Sequence, residues 1–234
     1  MKLLLSELSQ IQTSVITNMH HFQQLVDHIN SSIEAKIKEI IQPIEKEILD
    51  TKVNINSISD THKKFLHKIN LQILNSEKSE YEDWKHTIWA SLFLKSYAEF
   101  ESNFELLCNE VRNIKAIALS ISDLNDHGIV RAKKYLELVA DIRLTVPMEN
   151  WNDLKNINRL RNILVHNSGI LKRNDVGQLK DKDLEKYIEK EPDLGINEKD
   201  KIIISVNYLI TTHRLFYNII LHLTEDVNDI LSTQ

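Results

Sequence analysis

Glycine and proline are scarce in this sequence: four Gly and three Pro in 234 residues, against average usages of about 7 % and 5 %. These residues punctuate turns and hairpins, so their shortage argues against a multi-stranded sandwich, a barrel or a glycine-cradled nucleotide fold. A single cysteine, Cys108, excludes an intramolecular disulfide and a four-cysteine zinc site. Long apolar runs are missing too. None approaches the ~20 residues that span a bilayer, and Met1-Lys2-Leu3-Leu4-Leu5 turns polar at Ser6, too early for an export signal. A cytoplasmic setting with no membrane is therefore expected. Neither sign of charge dominates: 29 basic and 34 acidic residues give −5, so the chain as a whole is no polycation. What remains is 42 % hydrophobic residues with much Leu, Ile, Lys, Glu, Asn and Ser. That composition suits long helices with short connections. The expectation is an all-α helical bundle with a long, coiled-coil-like N-terminal arm and one small β-hairpin.

The arm is read over residues 1–76. From Leu8 to Ile48 apolar residues recur every three or four positions through Val15, Phe22, Val26, Ile33 and Ile40. The mean step lies between the 3.5 of a left-handed coiled coil and the 3.67 of an eleven-residue repeat. Bundle packing and an intermolecular coiled coil both satisfy this period. Pro43 removes a helical hydrogen bond and predicts a kink or split near Glu39. The period then lapses from Asp50 to Ser57, which predicts a turn, with Ser59 or Asp60 capping a helix that carries Phe65, Ile69 and Ile73.

The bundle is read over residues 79–234. Ser79-Glu80-Tyr81-Glu82 predicts a capped helix start. The helix after it places Trp84, Trp89, Phe93, Tyr97, Phe100 and Phe104 on a wide core face. Breaks are expected at Ser120–Asp123 and Asn125–Gly128, then a short basic helix from Ile129 to Ala140. Pro147 closes a loop before a helix that starts at Glu149 or Asn150 and runs to His166, where Gly169 stops it. Residues 172–201 are charged and poorly periodic, with a hairpin at Gly195-Ile196 and Lys201–Ile204. Asn207 to Leu231 forms the last helix.

Few residues offer chemistry. No GxGxxG, GxxxxGK[ST], GxSxG or HExxH occurs. His20-His21 and His62 to His67 lack a third ligand at metal spacing, so neither a metal nor a cofactor is expected. Cys108 has apolar neighbours and reads as buried. The segment Arg159-Leu160-Arg161-Asn162-Ile163-Leu164-Val165-His166-Asn167 differs, because useful polar groups interrupt an apolar stripe at a helix end. Asn162 and His166 share a face, Arg159 lies about 20° off that line, and Arg161 about 140° away from His166. Taken alone, such residues read first as a capped helix terminus.

Residues 84–175 resemble the HEPN superfamily of helical RNases and nucleotide-binding domains. The likeness is carried by Arg161-Asn162-x-x-x-His166, matching that family's Arg…His signature. Arg159 would match with a longer gap, and the surrounding order is similar too: Ser122-Asp123-Leu124, Gly128 to Leu136, Trp151 and Asn167-Ser168-Gly169. The resemblance implies a metal-independent endoribonuclease that cuts RNA by 2′-OH attack at a composite site in a homodimer. It further implies a toxin or anti-phage role with an antitoxin or defence-system partner. Arg161, Asn162 and His166 would be catalytic, with Arg159 and Glu101 as additional candidates. The alternative is a non-catalytic RNA- or nucleotide-binding or adaptor protein. Ser168 departs from the tyrosine usual two residues after the histidine in one toxin group, which argues against regulation at that position. Residues 112–175 carry eleven basic and seven acidic side chains, leaving −9 for the rest. Arg131, Lys133, Lys134 and Lys155 are the expected contacts to an RNA backbone.

Overall fold

The structure is a computed structural model that describes residues 2–55 and 61–232. The expected caps Ser59 and Asp60 lie outside them. The described residues are all-α apart from one small hairpin. Helix α1 spans Lys2–Ile55 and α2 spans Thr61–Ile114. After them come α3 (Gly128–Lys134), α4 (Met148–His166), α5 (Lys182–Lys190), strands β1 (Leu194–Ile196) and β2 (Ile202–Ile204), and α6 (Val206–Ser232). The strands pair antiparallel, with Gly195 opposite Ile203.

The first two helices differ from expectation at several points. Helix α1 passes through Pro43 and continues over Asp50 to Ile55. The residues after Asp50 include no Gly or Pro, and Thr, Val and Asn cost only tenths of a kcal/mol in a helix. The apolar period lapses there while the helix itself goes on. Helix α2 likewise runs through Ser79 without a fresh start. Trp84 is 64 % exposed and not core, because five residues separate it from buried Trp89, about 140° around the helix. Phe65 (58 % exposed) and Ile73 are exposed as well, while Leu74 is buried.

By contacts the chain forms two compact units: Gln24–Trp89, and Met1–Gln23 together with Ala90–Gln234. In the first, Val26, Ile33, Ile41, Leu74 and Trp89 are buried, and Lys78 pairs with Glu45 at 2.7 Å. The second is built on an aromatic column along α2. Phe100 stacks on Phe216 of α6 at 4.6 Å between ring centres, Tyr97 meets the same ring edge-on at 5.9 Å, and Phe104 lies 6.3 Å from Trp151 of α4. Such pairs add about 0.5–1.5 kcal/mol beyond their buried area. Leu8, Ile11, Val15 and Phe22 of α1 are buried in this unit. Removing residues 1–76 would therefore strip its core.

Polar contacts in the core are local and paired. His213 bonds Ser96 through Nδ1 at 2.6 Å and stacks on Phe22 at 3.9 Å. Burial, the main cause, depresses its pKa to about 4, so the ring is neutral at pH 7. The buried Asp226 carboxylate accepts from the Thr145 N–H (2.8 Å) and hydroxyl (2.6 Å). Tyr135 opens a π-helical turn, Tyr135–Val139, that extends α3; its hydroxyl donates to the Leu119 carbonyl at 2.9 Å. Helix α4 stops where Ser168 and Gly169 both take positive φ, +53° and +80°. Helix α5 arises inside the stretch read as charged and irregular. Asp181 caps it through Leu184 N–H, and Leu184, Tyr187 and Ile188 form its buried face.

Pro43 sits exposed in the interior of α1, where proline costs about 3 kcal/mol relative to alanine. Pro43→Ala should raise the urea midpoint of the transition followed by far-UV circular dichroism. An unchanged midpoint would mean that the helix already yields at that position.

Candidate functional site

Helices α2, α3 and α4 each contribute polar residues to one cleft of about 430 Å³. Glu101 comes from α2, His127 and Arg131 from the start and body of α3, and Asn158, Arg161 and Asn162 from α4. On α4, Asn158 and Asn162 are one turn apart and Arg161 lies between them, so a single face delivers all three. On α2, Tyr97 and Glu101 are likewise one turn apart.

The α4 residues are held by their neighbours. The Tyr97 hydroxyl donates to Asn158 Oδ1 at 3.1 Å. The Arg161 guanidinium lies 5.7 Å from the centre of the Tyr97 ring, within the range of a cation–π contact, and donates to Asn162 Oδ1 at 3.1 Å. Burial, with Glu101 beside it, pushes the Tyr97 phenol well above its ordinary range. Burial also raises the Glu101 carboxyl, against the opposing pull of the Arg161 charge and the Tyr97 hydroxyl. The Nε of Arg131 is buried with no hydrogen-bond partner among the described residues. An N–H of that kind costs free energy until an acceptor arrives.

Gly128 shapes the Glu101 side of the cleft. Its φ is +53°, and a Cβ placed on it would lie 2.4 Å from Glu101 Oε1. Absence of a side chain here therefore serves both the backbone conformation and the seat of the carboxylate.

Several sequence-derived candidates lie elsewhere. Arg159 turns to the start of α5, with Asp181 at 3.6 Å and Asp183 at 3.4 Å. His166 is exposed at the last residue of α4 and does not line the cleft. Lys133, Lys134 and Lys155 line a separate, apolar groove. There Lys133 sits 4.3 Å over the Trp151 ring, and Lys134 pairs with Asp126 at 2.7 Å. Of the expected backbone contacts, Arg131 alone faces the cleft. Sequence reasoning missed Tyr97 as a site residue, and Asn158 and His127 altogether. The i, i+4 spacings Tyr97–Glu101 and Asn158–Asn162 were the available signal for the first two. Cys108 is buried, and burial pushes its thiol up to about 12. Among the described residues no group of three His, Cys, Asp or Glu could hold a metal ion, and no helix is long and apolar enough to cross a membrane.

Comparison with protein-family models, curated proteins and solved structures returns no match.

Two measurements probe this geometry. Gly128→Ala forces a left-handed φ on a residue with a Cβ and drives that Cβ into Glu101, so it should destabilise by about 1–3 kcal/mol. Adding Glu101→Ala should recover the steric share; no recovery would mean that backbone strain is the whole effect. The Glu101 carboxyl holds its proton above its ordinary 4.5, so folding takes up a proton in the window above that value. Stability then falls as pH rises through the window. Urea midpoints of Glu101→Gln should decline less steeply there than those of the parent chain. Asp153 and Glu191, also raised, act in both proteins and cancel.

Proposed function

We propose that this chain is a metal-independent endoribonuclease of the HEPN type, working as a homodimer in the cytoplasm as a toxin or anti-phage effector. One observation carries the reading. Arg161 and Asn162, from the Arg-Asn-x-x-x-His segment, share a polar cleft with Arg131, whose buried Nε–H is unspent. Two guanidiniums around a polar recess form a seat for a phosphodiester, since each planar fork can hold two phosphate oxygens.

The chemistry follows from what RNA brings. The 2′-hydroxyl loses its proton to His166, its oxygen bonds to phosphorus, and the bond from phosphorus to the 5′-oxygen breaks as that oxygen takes a proton from water. The products are a cyclic phosphate and a 5′-hydroxyl. Histidine suits the first proton transfer because its ordinary pKa of about 6.5 is near working pH. Arg161 and Arg131 hold the phosphorus oxygens as charge builds on them, and Asn162 orients Arg161. His166 stands at the exposed end of α4, and in the proposed dimer it serves the cleft of the second copy. The antitoxin or defence partner belongs to the same proposal.

That His166 stands outside the cleft also favours a second reading, an RNA- or nucleotide-binding or adaptor protein without turnover. Purified full-length protein in EDTA should cut single-stranded RNA to products with cyclic phosphate ends. His166→Ala and Arg161→Ala should each slow cleavage about 10²–10⁴-fold. Binding without cleavage would select the second reading, and equal cleavage by all three proteins would end the first.

A further inference from the structure

The apolar groove next to the polar cleft has a volume of about 240 Å³. Ile129, Val130, Trp151 and Leu154 supply its apolar lining, and Lys133 and Lys155 are polar members of it. Ile129 and Asn158 line both this groove and the cleft that holds Arg131 and Arg161. The two recesses therefore meet at one shared wall. We infer that the groove seats a single unpaired base of single-stranded RNA while the adjoining phosphate occupies the cleft. This rests on the RNA-directed reading above and adds the substrate class.

Shape, chemistry and charge each point to that occupant. The groove is smaller than the ~300–1,000 Å³ typical of drug-sized ligands, a size suited to one planar ring. Its apolar residues suit the faces of a base, and single-stranded RNA is recognised through unstacked bases of this kind. Asn158 Oδ1 already accepts from Tyr97, so its amide N–H₂ remains for a ligand. With lysine ammonium groups beside it, every polar group on offer is a donor, apart from Glu137, which lies 3.7 Å from Lys133. The favoured base edge is therefore rich in acceptors, such as O6 and N7 of guanine or O2 of a pyrimidine. Lys155 is exposed and makes no ion pair among the described residues, which suits a neighbouring phosphate. A base in a duplex is stacked and paired and cannot enter.

The test uses full-length His166→Ala protein and two fluorescein-labelled eight-nucleotide RNAs, one ordinary and one with every base removed, compared by anisotropy. The ordinary oligomer should bind at least ten-fold tighter. Val130 is 45 % exposed, so Val130→Gln should fold normally. It should bring the two affinities together and leave that for the abasic oligomer unchanged. Equal affinities for the two oligomers, no binding of either, or an unaltered difference in Val130→Gln would overturn the inference. A Val130→Gln protein with unchanged RNA affinity but a smaller sedimentation mass would overturn it in favour of a second copy of the chain in the groove. Cleavage by the unmutated chain is read separately. Base-dependent binding without cleavage retains the groove and removes the RNase reading; His166-dependent cleavage with base-independent binding does the reverse.

Discussion

The phenol of Tyr97 ties α2 to α4 and α6 beside the site. Its ring meets Phe216 of α6 edge-on, its hydroxyl holds Asn158 of α4, and its ring lies near the Arg161 guanidinium. Tyr97 is almost fully buried, so its hydroxyl must have a partner or carry a desolvation cost of about 1–3 kcal/mol. That requirement fixes the rotation of α4 relative to α2. Once α4 is set, Arg161 and Asn162 face the cleft and Arg159 faces α5. A helix turned by one position would present a different set.

Arg159 and Arg161 illustrate how position decides between chemically identical groups. Two residues apart, they point to different surroundings. Arg159 finds two carboxylates at the start of α5, with its own charge largely answered there. Arg161 finds an aromatic ring, an amide and a partly desolvated acid. The same side chain thus joins acidic residues of the next helix in one place and lines a polar cleft in the other.

Much of the fold was legible because helical period is a local signal. Helices α3, α4 and α6, the hairpin, the break before Gly128 and the stop at Gly169 all lay within a few residues of the features that announce them. Helix α5 was hidden because its apolar face is only Leu184, Tyr187 and Ile188 among charges, with Asp181 as its cap. The breaks read near Asp50 and Ser79 were mistaken for a related reason: polar residues interrupt an apolar pattern without interrupting backbone hydrogen bonds. At the site, Arg161 and Asn162 were visible as polar groups in an apolar stripe. Glu101 stood out as a charge within an apolar helix. Their meeting with Arg131 and Gly128 was not visible, since those residues are some thirty positions from either and are joined only by packing. Whether Lys133 lies on an indole or in a cleft is likewise a tertiary fact.

The seat that Gly128 leaves for Glu101 sets the electrical balance of the cleft. With Glu101 and Glu105 ionised, the charges of Arg131 and Arg161 are matched and the recess sums to zero. With Glu101 protonated it carries +1. An anion entering the cleft favours the second condition, and by reciprocity the proton favours the anion. Glu101 is therefore a counter-charge whose protonation an anion in the cleft would favour, through a carboxyl whose place exists because residue 128 has no side chain.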